Sequence, residues 1–323
     1  MPRLTVATCQ FPVDADVARN GRYVMRQMRS AREQGAGVAH FPEACLSGYA
    51  GSDFPSHEGF DWELLERVTR QVLALARELR LWVVLGSAHR LADDHKPHNS
   101  LYAIDATGSI VDRYDKRFCS GDPAESTGDL AHYTPGDHPT MFTISGVRCG
   151  ALICHDYRYP ELYRAYKRDG VQLIFHSYHA AHMKPEKVAA IRAAVGEDLQ
   201  RLNPGSTYAG ITMPAMMTAE AAANHVWISC PNSSARESCW GAFFVRADGV
   251  TTGRLPRNRA GVLISTVDTG AALYDSTAAW RTRAMAGVLH SGTLVHDARS
   301  TQRTWLWSAD QTVAGEDDTS REK

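Results

Sequence analysis

The sequence predicts a layered fold of strands and helices, of the α/β or α+β class. Short runs rich in Val, Ile and Leu, such as LWVVLGSA, CGALIC and VQLIF, alternate with longer amphipathic segments. That rhythm belongs to buried strands flanked by helices rather than to a bundle or an all-β sandwich. The runs are also strand-length, and none approaches the roughly 18 apolar residues that span a bilayer. With 323 residues, 44% of them hydrophobic, the chain can bury the core of one large domain or two small ones.

The elements follow in order. LTVATCQ reads as a first strand, and from about Ala15 to Gln34 the apolar residues Val17, Tyr23, Val24 and Met28 recur at helical spacing. GAGVAHFPE returns to a strand that ends at Glu43. A second helix covers Trp62 to Leu79, with Leu65, Val68, Val72 and Leu75 on one face, and LWVVLGSAHRL follows as a buried strand. NSLYAID, the turn ATG and SIVDRYDK form a hairpin in which Gly108 supplies the permissive dihedral, and Lys116 lies at its exit. Arg117 to Asp137, rich in Gly, Pro, Asp and Ser, reads as a long loop that roofs a pocket. VRCGALIC is a buried strand, and Pro160 with Glu161 opens a helix, which sets Cys154 on a strand-to-helix turn. VQLIFHSYH is a strand, Ser206 to Asn224 a helix, HVWISCPNSS a strand and GAFFVRADGVTTGRL a hairpin around Asp248-Gly249. About ten strands then fit two sheets. Core patterning fades after Met285, so residues 1–285 are expected to form the main domain. Residues 286–323 are expected to be an arm carrying Trp305 and Trp307 against a partner subunit, ending in the charged, disordered AGEDDTSREK.

Composition narrows the function. Lys plus Arg total 35 against 36 Asp plus Glu, a net charge of -1, which gives no field to draw in nucleic acid or an anionic membrane. A small-molecule substrate is expected instead. The seven cysteines (Cys9, Cys45, Cys119, Cys149, Cys154, Cys230, Cys239) include no C-x-x-C pair and read as reduced thiols rather than a disulfide framework or zinc knuckle. The start, MPRLTVATCQF, lacks the features of a secretory signal, so the expected compartment is the cytoplasm.

A cysteine on a strand-to-helix turn projects its thiol from the sheet edge near main-chain amides, which are expected to lower its pKa and to serve an oxyanion. Cys154 has that address, although a buried, inert cysteine is the commoner case. Its surroundings change the balance: FPEACLSGY around Glu43, YDKRF around Lys116 and ALICHDYRYPELYR around Cys154 stand in this order along the chain, with TPGD at Thr134 to Asp137 ahead of the cysteine strand. In these blocks, and in the GSAHR, NSLYAID and FFVRADG segments, the sequence resembles the nitrilase-like superfamily of carbon-nitrogen hydrolases over roughly Leu4 to Asp268. The resemblance implies an α+β, four-layer αββα sandwich and hydrolysis of a non-peptide C–N bond.

The resemblance also implies site residues. Glu43 looks like the general base, Lys116 like the cation that steadies thiolate and oxyanion together with the His155 main-chain N–H, and Cys154 like the nucleophile. Many members carry a second acid in the loop before the cysteine. Glu125 is the only glutamate there, while counting back from Pro135 gives its rival, Asp129. Arg158 and Glu161 look like braces of the nucleophile turn. Tyr49, His155, Tyr157, His179 and Trp240 are candidates for the substrate pocket, against the ordinary alternative of core packing. Carbamoylases for D-amino acids place an arginine where Tyr157 stands, and nitrilases proper tend to follow the nucleophile with Trp-Glu where this chain has His155-Asp156. The resemblance therefore points to an amidase or N-carbamoyl amidohydrolase acting through a Cys154 thioester. Nitrile hydrolysis, acyl transfer with the same triad, and a catalytically silent binding protein are the alternatives.

His176, His179 and His182 form H-x-x-H-x-x-H. On a strand, residues i and i+3 face opposite ways, and on a helix i and i+6 diverge, so the three do not converge on one ion. No metal and no cofactor are expected. Relatives pair through the helices after the nucleophile and through C-terminal arms, so a homodimer or higher homo-oligomer is expected.

Overall fold

A computed structural model describes residues 1–92, 94–200, 202–203, 205, 207–297, 300 and 303. The chain divides into two units, residues 1–279 and residues 280–323. Trp305, Trp307 and the AGEDDTSREK end lie outside the described residues.

In the first unit the strands and helices run β1 Arg3–Gln10, α1 Val17–Glu33, β2 Val38–His40, α2 Trp62–Leu79, β3 Trp82–His89, β4 His98–Ile104 and β5 Ile110–Asp115. They continue as β6 Met141–Ile144, β7 Val147–Ile153, α3 Pro160–Arg168, β8 Leu173–Ser177, α4 Pro185–Val195, α5 Glu197–Gln200 and α6 Tyr208–Asn224. The unit closes with β9 Trp227–Cys230, β10 Phe243–Val245, β11 Thr251–Arg254 and β12 Gly261–Asp268. Both long N-terminal helices begin at aspartates that satisfy otherwise orphaned amides: Asp16 accepts from Arg19 N, and Asp61 accepts from Leu64 N. No helix among the described residues is long and apolar enough to cross a membrane.

The strands form two six-stranded sheets, ordered β12-β1-β2-β3-β4-β5 and β11-β10-β9-β8-β7-β6. Each has parallel pairing at its centre, β1-β2-β3 in one and β7-β8-β9 in the other, with antiparallel strands outside. Alternation along the strands of the first sheet builds the layers. Ala7, Cys9, Ala39, Val83 and Leu85 meet Val24, Met28, Val68 and Val72 of α1 and α2 in one apolar cluster. Leu4, Val6, Val38 and Val84 face the other way and join Cys149, Ala151, Ile174 and Phe175 of the second sheet. Leu162, Tyr163, Met213 and Met217 of α3 and α6 belong to that same cluster. The order helix, sheet, sheet, helix is an αββα sandwich.

Polar groups also cross between the sheets. His40 Nε2 lies 2.8 Å from Ser177 Oγ and His40 Nδ1 2.8 Å from Ser229 Oγ, and Ser229 meets Thr8 Oγ1 at 2.7 Å. Ser177 Oγ then donates to Phe41 O at 2.8 Å. All are fully buried, so the network has no water to fall back on and fixes the sheets' registration where β2 ends.

Twelve strands among the described residues exceed the expected ten or so, because β6 and β12 escape the sequence reading. MFTI is too short to alternate clearly, and GVLISTVD is an edge strand with intermediate burial along most of its length. In the second unit α7, Arg281–Met285, is followed by a turn in which Arg283 Nε donates to His290 O at 2.9 Å.

Candidate active site

Three strand ends and one loop bring the chemistry together. Glu43 follows β2, Lys116 follows β5, Cys154 follows β7, and Asp129 comes from the loop that the sequence reading places over a pocket. The turn after β2 is pressed onto β3: Phe41 N donates to Val84 O at 3.0 Å and Leu46 N to Gly86 O at 3.0 Å. A side chain at Gly86 would put its Cβ 2.1 Å from Pro42 O and 2.7 Å from Ala44 N, so only glycine admits the Glu43 turn so close.

Glu43 is fully buried and each of its carboxylate oxygens is occupied. Oε1 accepts from Lys116 Nζ at 2.7 Å and from Asn99 Nδ2 at 2.8 Å, and Oε2 accepts from the main-chain N–H of His179 at 2.9 Å. Its own N–H donates to Tyr178 O at 3.2 Å. Asn99 sits on β4, and its carbonyl receives Lys116 N at 2.9 Å, so hairpin pairing sets the lysine beside the glutamate.

Lys116 is 1% exposed and carries a second carboxylate, Asp129 Oδ2, at 2.7 Å. Asp129 accepts in turn from Ser120 N at 2.9 Å and from the Tyr49 hydroxyl. Glu125 stands exposed on the same loop. The acid at the lysine is therefore Asp129 and not Glu125: the short turn Gly128–Ala131 turns Asp129 inward, a matter of loop conformation that side-chain length could not reveal. Burial alone would lower the Lys116 pKa, but Glu43, Tyr49 and Asp129 outweigh it and the net direction is upward. Burial likewise opposes ionisation of Asp129, yet Lys116 prevails and holds it down to about 2.

Cys154 has a φ of +38°, a strained value for a residue with a Cβ, and it opens the five-residue 3-10 turn Cys154–Arg158 rather than α3 itself. Burial first, and then the charge of Glu43, raise its thiol pKa well above the usual value, with Lys116 pulling the other way. The direction is thus opposite to the sequence expectation of a lowered pKa, because burial acts first and two carboxylates then stand against one ammonium.

The turn is braced by Asp156, which the sequence reading passed over. Its Oδ2 accepts from Ile153 N at 3.0 Å and from Tyr114 Oη at 2.7 Å, and its Oδ1 accepts from Phe118 N at 3.0 Å. One buried carboxylate thereby ties the nucleophile turn to β5 and to the start of the loop, and burial raises its pKa to about 6. Arg158 and Glu161, the expected braces, are exposed, with Arg158 lying over the Tyr157 ring at 5.0 Å. On the far side, His176 Nε2 reaches Cys154 O at 3.2 Å and Nδ1 meets Tyr163 Oη at 2.7 Å.

The five pocket candidates separate. Tyr49 and His179 adjoin the cluster: Lys116 Nζ lies 5.8 Å from the Tyr49 ring, and the Tyr49 and His179 rings are 5.0 Å apart. His155 is half-buried, with Nδ1 3.2 Å from Phe118 O. Tyr157 is packed in the core, its hydroxyl 3.0 Å from Thr212 Oγ1 of α6. Trp240 is also in the core, edge-on to Tyr178, and its indole N–H is buried without a hydrogen-bond partner. The resemblance could not separate these cases, since an aromatic ring serves a core and a pocket wall equally.

Comparison with known proteins gives a consistent picture. A family profile described as Carbon-nitrogen hydrolase matches residues 5–274. A protein named Hydrolase in agr operon, from Staphylococcus lugdunensis, is 33% identical over 43% of this chain and 57% of its own length. Human deaminated glutathione amidase is 28% identical over 52% of this chain and 54% of its own, and bovine omega-amidase NIT2 is 26% identical over 54% and 63%. The chain thus spans little more than half the length of the curated relatives it matches. Among solved structures, an amidase from Nesterenkonia sp. superposes with a TM-score of 0.65 at 19% identity, covering 82% of this chain and 90% of that one.

Proposed function

Because this chain belongs to the carbon-nitrogen hydrolase family, we propose that it hydrolyses a linear amide or N-carbamoyl group of a small molecule through a thioester on Cys154. The observation that carries this reading is the buried Glu43–Lys116–Asp129 cluster, with 2.7 Å on each side of the ammonium, set at the nucleophile turn. The amidase names of the relatives favour the amide branch over nitriles.

In this mechanism the Cys154 proton passes to Glu43 as the sulfur attacks the carbonyl carbon, so the thiolate forms only when it is consumed. The carbonyl oxygen takes the electron pair, and the Lys116 ammonium and the His155 main-chain N–H steady it. Collapse breaks the C–N bond and Glu43 returns the proton to the departing ammonia or amine. Water then attacks the thioester, losing its proton to Glu43. Collapse of the second tetrahedral intermediate releases the acid, and Cys154 recovers its proton. Asp129 and Asn99 take no proton. They hold Lys116 and Glu43 against each other throughout.

The test is ammonia release from a panel of small amides, N-carbamoyl compounds and nitriles by wild type and by Cys154→Ala. Turnover by the wild type alone, with a substrate-derived mass on the Cys154 peptide after rapid acid quench, is the expected result. An active alanine variant would mean that the nucleophile lies elsewhere. Silence of folded wild-type protein across the panel would favour a silent binding protein.

A further inference from the structure

Beside the triad lies a second convergence of side chains that the reaction above does not use. Asp53, in the turn after Tyr49, is fully buried at its carboxylate, and Tyr49 N donates to its Oδ2 at 2.8 Å. His179 Nε2 lies 3.1 Å from that same oxygen, and His182 Nε2 lies 3.0 Å from Oδ1. Donor atoms from the three residues all fall within 4.8 Å of one another.

Two details set this cluster apart from an ordinary hydrogen-bonded pair. Asp53 Oδ1, although in close contact with His182 Nε2, is a buried oxygen with no hydrogen-bond partner. The histidine nitrogen is near enough, but its N–H direction does not run to the oxygen, and a buried acceptor left in that state calls for an explanation. The two imidazoles, moreover, are tilted by only 26° with centroids 5.9 Å apart, and each brings its Nε2 to an oxygen of the same carboxylate. His179 Nε2 is placed to hydrogen-bond Asp53 Oδ2, whereas His182 Nε2 is crowded against Oδ1 without completing such a bond, as a further ligand of a common ion would be. Around a tetrahedral ion with bonds of about 2.0–2.1 Å, neighbouring ligand atoms stand roughly 3.3 Å apart; here the two nitrogen–oxygen separations are 3.1 and 3.0 Å, to the two oxygens of one carboxylate, and the donor atoms of the three residues lie within 4.8 Å of one another.

We propose that Asp53, His179 and His182 form a mononuclear site for a divalent transition-metal ion of the zinc class, bound through both Nε2 atoms and the carboxylate. Two imidazoles and one carboxylate suit zinc or its neighbours in the first transition row far better than calcium or magnesium. His182 is 37% exposed at its side chain, which gives the ion an entry path and leaves room for water or a ligand in the remaining positions. The H-x-x-H-x-x-H argument still holds for three histidines: His176 is turned away between Tyr163 and Cys154 O. The third ligand comes from Asp53, which no local spacing connects to the histidines. The site abuts the triad through His179, whose main-chain N–H holds Glu43.

The test uses the full chain in a Cys154→Ala background, which removes the nucleophile's own thiolate as a ligand and makes the result independent of the proposed reaction. Chelator-stripped protein is dialysed to equilibrium against Zn²⁺, and the site is read spectroscopically with Co²⁺. Expected are one Zn²⁺ per chain, cobalt bands without thiolate charge transfer, and affinity at least about 10-fold weaker in His182→Ala and in Asp53→Asn. His182 is part-exposed, so its substitution tests the site even where the Asp53 variant fails to fold. No zinc bound at a hundred micromolar, or affinity unchanged by His182→Ala, would overturn the proposal.

Discussion

Burial raises the Cys154 thiol pKa, and the two carboxylates that share one ammonium beside it add to that rise. Lys116 by itself pulls the thiol pKa down. Burial, together with Glu43 and Asp129, outweighs that pull, and the net direction is upward. The sign of the effect of Asp129 is therefore testable. Asp129→Asn removes a negative charge that raises the thiol pKa, so the pH profile for alkylation of the Cys154 peptide should move to lower pH. Turnover should nevertheless fall on the order of 100-fold, because Lys116 loses one of the two carboxylates that aim it at the oxyanion. Glu125→Gln should change neither. Equal losses from the two variants, measured as kcat/KM and by peptide-level alkylation, would return the second acid to Glu125.

At the scale of elements, much of the site was legible because its residues mark ends of strands. Apolar runs and helix spacing placed β1, α1, α2 and the β4–β5 hairpin within a residue or two of where they stand, and Glu43, Lys116 and Cys154 each fall just past a strand that the pattern reveals. What stayed hidden depends on contacts distant in sequence. Asn99 is one polar residue of a hairpin until Glu43 is brought against it, and Asp156 looks like a solvated acid until three donors close on it. Asp129 stands beside Glu125 as one of two candidates until the loop conformation chooses between them, and His40 reads as a strand residue rather than the tie between two sheets. Gly86 belongs to the same group: in the sequence it merely interrupts a strand, and in the fold it is the floor of the Glu43 turn. Gly86→Ala should destabilise the protein by about 1–3 kcal/mol through forced overpacking, read from urea unfolding. It should also depress kcat in the fraction that folds, because the alanine methyl displaces the Pro42–Ala44 backbone. A fully active, equally stable alanine variant would show that Glu43 does not depend on this close approach.

For the whole molecule, the αββα sandwich encloses ionisable groups between its layers, and their shifts set a pH dependence whose direction can be derived. His176, held by burial down to about 3 from 6.5, stays neutral in the fold while an unfolded histidine takes up a proton below 6.5. The stability it contributes is therefore complete above 6.5 and is lost as the pH falls toward 3, by roughly 1.4 kcal/mol per pH unit. His40, also lowered by burial, acts in the same direction. Asp156 acts in the opposite one: raised from 3.8 to about 6, its contribution is complete below 3.8 and is lost as the pH rises through 6. Between about pH 4 and 6 the two histidines therefore favour the folded state at the higher pH, and the one carboxylate opposes them. The same argument isolates one histidine. His176→Gln keeps a polar group between Tyr163 and the Cys154 carbonyl but cannot be protonated, so its unfolding free energy should fall less steeply with acid than the wild type's, by about 1.4 kcal/mol per unit over this window. Urea unfolding of both proteins at pH 4.5, 5.25 and 6 measures the two slopes. Parallel slopes would mean that His176 is already protonated inside the fold, and the neutral bridge between Tyr163 and the nucleophile turn would have to be abandoned.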